Sequence, residues 1–81
     1  MNQDEVFNKI VAILSKYSKA DIAAESIGME TSILDDLKIN SARLVDIILD
    51  FEDEFEIEVD DDDADAVATV SDGVKLIMEK L

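Results

Sequence analysis

Apolar residues recur at steps of three and four in three separate stretches of this chain, and that spacing commits most of it to helices that each bury one face. In residues 4–17, Val6, Phe7, Ile10, Val11, Ile13, Leu14 and Tyr17 form the first stripe. In residues 41–55, Leu44, Ile48, Phe51 and Phe55 fall at i, i+4, i+7 and i+11, with Val45 and Ile47 widening the stripe and Leu49 at its edge. In the last stretch Val70, Val74, Ile77 and Leu81 share a face, and Thr69, three residues before Asp72, offers a capping-box-like start.

Between these stripes the pattern is irregular. Residues 18–40 scatter Ile22, Ile27, Ile33, Leu34, Leu37 and Ile39 among polar residues, with Gly28 as a turn. This reads as a long loop pinned to the core by those side chains, with a helical turn near residues 22–26. Loops of this length in small domains usually serve a function. Residues 56–61 alternate polar and apolar, but a lone strand would have nothing to pair with, so an extended connector is expected. The acidic run 60–63 leads into residues 64–68, which read as a short third helix. The fold class predicted is all-α: three main helices, a short one before the last, a long loop between the first two, and the second helix at the centre. With 81 residues and no proline or linker, residues 1–81 are expected to form one domain.

Composition narrows the chemistry. The chain has no histidine and no cysteine, so the usual serine and cysteine triads are impossible, as are disulfides and thiolate metal sites. A glycine-rich phosphate loop and an organised metal site are also missing from the sequence, which argues against an enzyme. Twenty-one acids against seven bases give a formal charge of −14, opposing nucleic acids and anionic membranes and favouring basic protein partners. The first residues lack the basic start and apolar run of a signal peptide, so a cytoplasmic monomer is expected. Asp61, Asp63, Asp65 and Asp72 resemble a calcium loop only superficially, because Ala66 stands where such a loop needs glycine. No metal site is expected.

The residue that stands out is Ser41, at the start of the second helical stretch. Free backbone N–H groups and the positive end of a helix dipole suit a phosphate esterified to that hydroxyl, so this serine is placed to carry a group rather than to attack one. The bland alternative is that Ser41 merely caps the helix.

The order of these parts resembles the acyl carrier protein family, with its peptidyl and aminoacyl carrier relatives. The resemblance spans nearly the whole chain: the first helix, the long loop, Thr31-Ser32-Ile33-Leu34-Asp35-Asp36-Leu37, the serine, the acidic second helix, Phe55-Glu56-Ile57-Glu58-Val59, and Ala68-Thr69-Val70-Ser71-Asp72-Gly73-Val74. It implies that Ser41 receives 4'-phosphopantetheine from coenzyme A through a separate phosphopantetheinyl transferase. The cofactor's sulfur would then hold an acyl group as a thioester, and the protein would shuttle it between acyl-transferring or acyl-modifying enzymes. Those enzymes would read Asp46, Asp50, Glu52 and Asp53 through basic docking patches. Val45, Ile48, Phe51 and Ile77 could wall a cargo site, although such a stripe is more often ordinary core.

The family's usual Asp-Ser-Leu is here Asn40-Ser41-Ala42, and Arg43 stands where an acid is common. Asn40 keeps the capping ability of aspartate without its charge. Ala42 removes an apolar contact beside the arm, and Arg43 puts a basic spot in the partner-facing entrance. These departures point to a specialised carrier in lipid or secondary metabolism. The alternatives are an aminoacyl or peptidyl carrier, or an unmodified acidic adaptor that docks basic partners.

Overall fold

The computed structural model describes residues 2–19 and 23–81. Among the described residues there are four α-helices: α1 (Gln3–Tyr17), α2 (Ser41–Phe55), α3 (Asp61–Asp65) and α4 (Val70–Lys80). The all-α class and the bounds of the two long helices agree with the apolar pattern. The helical turn expected near residues 22–26 is a single 3₁₀ turn at Ala24–Ser26, while Ile22 lies outside the described residues.

Each long helix starts on a side-chain cap that satisfies an otherwise orphaned N–H. The Asn2 side chain accepts from the Glu5 N–H at 2.9 Å, and Asn40 accepts from the Ala42 N–H at 2.8 Å. α4 has the full capping box: Thr69 Oγ1 accepts from the Asp72 N–H at 3.3 Å and Asp72 Oδ2 accepts from the Thr69 N–H at 3.1 Å. α2 ends differently. Glu56 takes a left-handed conformation, φ 54°, and its N–H donates to the Glu52 carbonyl. That geometry usually falls to glycine or asparagine, so no cue in the sequence marks it.

The buried side chains of all three long helices and of the loop form one apolar cluster, with Ile10, Leu14, Ile33, Leu37, Ile47, Phe51, Val70 and Ile77 wholly enclosed. Phe51 and Phe55 meet edge to face, their ring centres 6.4 Å apart. The sequence pattern puts α2 at the centre, but α1 holds that place, with close backbone approach to both α4 and α2. Gly73 of α4 is buried at the crossing, where a Cβ would meet Ile10 and Phe51 at 3.8 and 3.9 Å.

The long loop is pinned as expected: Ile27, Ile33, Leu37 and Ile39 are buried. Its hydrogen bonds were not legible from pattern. Ile33 N–H donates to the Ala68 carbonyl at 3.0 Å and Val70 N–H to the Thr31 carbonyl at 3.0 Å, an antiparallel bridge centred on Ser32 and Thr69. The Leu37 carbonyl accepts from the Lys19 N–H at 3.1 Å and the Ser18 hydroxyl at 3.2 Å, tying the loop's end to the end of α1. Lys38 then takes φ 54° between the buried Leu37 and Ile39, a reversal that lets both neighbours reach the core.

Three expectations are corrected. Val45 does not belong to the buried stripe of α2, being 63% exposed, whereas Leu49, expected at the edge of that stripe, is 53% exposed. Leu81 is also exposed, because α4 ends at Lys80 and leaves it beyond the last turn. The acidic run does not precede the third helix but forms it, since α3 spans Asp61–Asp65. Its helical twist sets Asp61 and Asp65 on one face and turns Asp63 away from them, and no cluster of metal-ligating groups converges among the described residues.

Candidate functional site

Ser41 is the first residue of α2 and is exposed, one position after the residue that caps the helix. The cap is Asn40: its side chain takes the Ala42 N–H at 2.8 Å and its carbonyl takes the Arg43 N–H at 2.8 Å. Ser41 is therefore not the helix cap, and its hydroxyl is not committed to that task. The side chain stands at the positive end of a 15-residue helix whose first turn contains no acid. Lys38 and Arg43 flank it, both exposed. An exposed hydroxyl, a positive dipole end and two nearby cations suit a phosphodiester, so these residues fit the prosthetic arm that the sequence pattern implies.

The acids of α2 serve different purposes from one another. Asp50 Oδ2 accepts the Tyr17 hydroxyl at 2.6 Å, and this bond, helped by desolvation, raises the Tyr17 pKa above its usual value. Glu52 turns toward the connector, where Oε2 accepts the Val59 N–H at 3.1 Å. Glu54 pairs with Lys9 of α1 at 2.7 Å, which lowers the Glu54 pKa. Asp46 pairs with Arg43 one turn back, at 3.1 Å, and Asp53 is exposed. Of the residues expected to meet partners, the structure brings Arg43 and Asp46 together near Ser41, and places Asp53 three turns farther along the same helix.

Sequence reasoning missed the exposed apolar stripe. Val45 and Leu49 follow Ser41 at steps of four, each step advancing about 40° around the helix, and lead from the serine onto the solvent side. Because Val45 widens the inward stripe at helical spacing, the period alone draws it into the core, and it draws Leu49 to the edge. The clue available was that α2 has more apolar positions than one buried face can hold. Of the candidate cargo walls, Ile48, Phe51 and Ile77 are packed in the core, and Val45 is on the surface. A cleft of about 320 Å³ lies between α1 and α4 beside Met29, Val74 and Met78, and Ser41 is not among its lining residues.

The helix ends carry a further contrast. α1 has Asp4 and Glu5 in its first turn and Lys16 in its last, and α4 has Asp72 and Lys80, as their dipoles favour. α2 has no acid at its start and no base at its end, where Glu52, Asp53 and Glu54 gather instead.

A family model described as the phosphopantetheine attachment site matches residues 8–77. The chain belongs to the acyl carrier protein family. It is 38% identical over 80 residues to the acyl carrier protein of Thermotoga maritima, covering 99% of this chain and 96% of the relative. It is 38% identical over 80 residues to that of Picosynechococcus, covering 99% and 95%. Its fold superposes on an acyl carrier protein from Enterococcus faecalis with a TM-score of 0.84, at 33% identity and full coverage of both chains. Acyl carrier proteins are carriers, not enzymes, and their prosthetic group is 4'-phosphopantetheine. Members of the family work with a phosphopantetheinyl transferase and with acyl-handling enzymes. Among the described residues no helix is long and apolar enough to cross a membrane.

Proposed function

We propose that Ser41 is the attachment point of 4'-phosphopantetheine and that this acyl carrier serves a narrow set of enzymes in lipid or secondary metabolism. The observation that carries the assignment is the division of labour at the start of α2, where Asn40 caps the helix and leaves the Ser41 hydroxyl exposed. When bound, the arm supplies the thiol on which an acyl group is held. The chain's own residues anchor it: the dipole of α2 and the neighbouring Lys38 and Arg43 offset the phosphodiester charge, an effect of about 0.3–1 kcal/mol for an exposed site.

The partner-facing surface in this reading is the exposed side of α2, with Arg43 and Asp46 near the serine, Val45 and Leu49 in the middle and Asp53 beyond. Exposed apolar side chains rimmed by charge suit brief, specific docking. Asp50 and Glu52 act mainly inside the molecule, through Tyr17 and Val59. The narrow partner set is supported by Asn40, Ala42 and Arg43, which replace an acid, a bulky apolar residue and a second acid of the usual family pattern.

The test is intact-mass measurement after incubation with coenzyme A, magnesium and a phosphopantetheinyl transferase. A single added arm on the wild-type chain, missing from Ser41→Ala, is the expected result. No addition by any transferase, including the one encoded in the same genome, would remove the carrier assignment for this serine and favour an unmodified adaptor.

A further inference from the structure

The outward charge of α2 differs from what its acid-rich sequence suggests. Asp50, Glu52 and Glu54 are engaged with Tyr17, Val59 and Lys9, and Asp46 is paired with Arg43. Residues 38–43, Lys-Ile-Asn-Ser-Ala-Arg, contain two bases and no acid in a chain whose net charge is −14. The acids just upstream, Asp35 and Asp36, are both exposed, and Asp36 accepts the Ser32 N–H at 2.8 Å. Moving outward from the serine, the surface is basic at Lys38 and Arg43, apolar at Val45 and Leu49, and acidic at Asp53, about 18 Å along the helix axis from Ser41.

We propose that the enzyme loading Ser41 meets Arg43 with an acidic surface and Asp53 with a basic one, so that ion pairs of opposite sense at the two ends of α2 fix the orientation of the complex. This rests on the reading of Ser41 as the attachment point. The occupant is the phosphopantetheinyl transferase, because it must bring its centre to the hydroxyl and so cover the first turn of α2. A uniformly basic docking surface would press like charges onto Lys38 and Arg43, and such juxtapositions are strongly unfavourable across an interface. The Arg43–Asp46 pair does not lock the arginine in place, since an exposed i, i+3 pair is weak and opens readily. Opposite charges at two points along one helix also exclude the reversed docking, which a surface of one sign would permit.

The experiment measures arm transfer from coenzyme A by the transferase encoded in the same genome, read by intact mass, for wild type, Arg43→Glu, Arg43→Gln and Asp53→Lys. Circular dichroism and urea melts check that each variant is folded. Arg43→Glu and Asp53→Lys should each lower kcat/KM by about tenfold, mainly through KM and less at high salt, with Arg43→Gln intermediate. Replacing transferase surface carboxylates one at a time by lysine should yield one variant that restores loading of Arg43→Glu. Loading of Arg43→Glu as fast as wild type, or faster, would overturn the proposal while leaving the Ser41 assignment intact. Failure of the wild-type chain to load at all would instead overturn that assignment and this inference with it.

Discussion

Asn40 and Ser41 separate two tasks that a single serine at a helix start can combine. The asparagine closes the end of α2 and the serine stands free beside it. Their stability effects should separate in the same way. Asn40→Ala removes the bond to the Ala42 N–H and should cost about 1 kcal/mol, as loss of an N-cap usually does. Ser41→Ala, at an exposed first-turn position, should change stability by less than about 0.5 kcal/mol. Urea denaturation of both variants checks this, and equal losses would mean that the hydroxyl also supports the helix. Ser41 is legible as a candidate because a histidine-free, cysteine-free chain leaves few other roles for a serine in that position. The destinations of Asp50 and Glu52 are not legible. Each depends on where Tyr17 and Val59 arrive through packing, which the spacing along α2 does not encode.

At the scale of elements, α4 gives two expectations. Gly73 lies inside this helix, where glycine costs roughly 1 kcal/mol relative to alanine. The Cβ of an alanine would sit at ordinary contact distance from Ile10 and Phe51. Gly73→Ala should therefore stabilise the protein by about 0.5–1 kcal/mol in urea melts. Loss of stability would show that Ile10 of α1 and Phe51 of α2 cannot yield even the small space a methyl needs. The capping box makes the second expectation. The Thr69 N–H, then the Ala68 N–H, hold the Asp72 carboxylate below its usual value near 3.8. A lowered folded pKa adds stability that is complete above the unfolded value and is lost as pH falls through the folded one. The melting-temperature difference between wild type and Asp72→Ala should thus stay constant from neutral pH down to the region of the unfolded value and close in stronger acid. The start of α4 was readable because its cap is local in sequence. The bridge between Ser32 and Thr69 was not, since nothing local says that two short extended pieces so far apart will meet.

Across the whole molecule, like charges oppose the compact state. A net charge of −14 on a body with extents of 31 × 26 × 19 Å places many carboxylates within reach of one another. Acids gather in the run Asp60–Asp63 and where Glu52, Asp53 and Glu54 meet the negative end of α2. Raising salt from about 0.01 M to about 1 M shortens the screening length from about 30 Å to about 3 Å. The melting temperature should rise over that range, by about 4–8 °C for each kcal/mol of repulsion relieved. Magnesium and calcium should act alike, because no ligand cluster among the described residues favours one of them. A salt-independent melt would show that the acids are spaced widely enough not to oppose one another. The periodicity of the sequence reveals three long helices and their inner faces, whereas the assignment of α1 as the central helix depends on how those faces pair. Finally, the segment before Ser41 is fastened at Leu37 to the end of α1 and, through Thr31 and Ile33, to the approach to α4. The serine thus sits on a stationary pivot, and the reach of anything hung from it is set by the length of the tether alone.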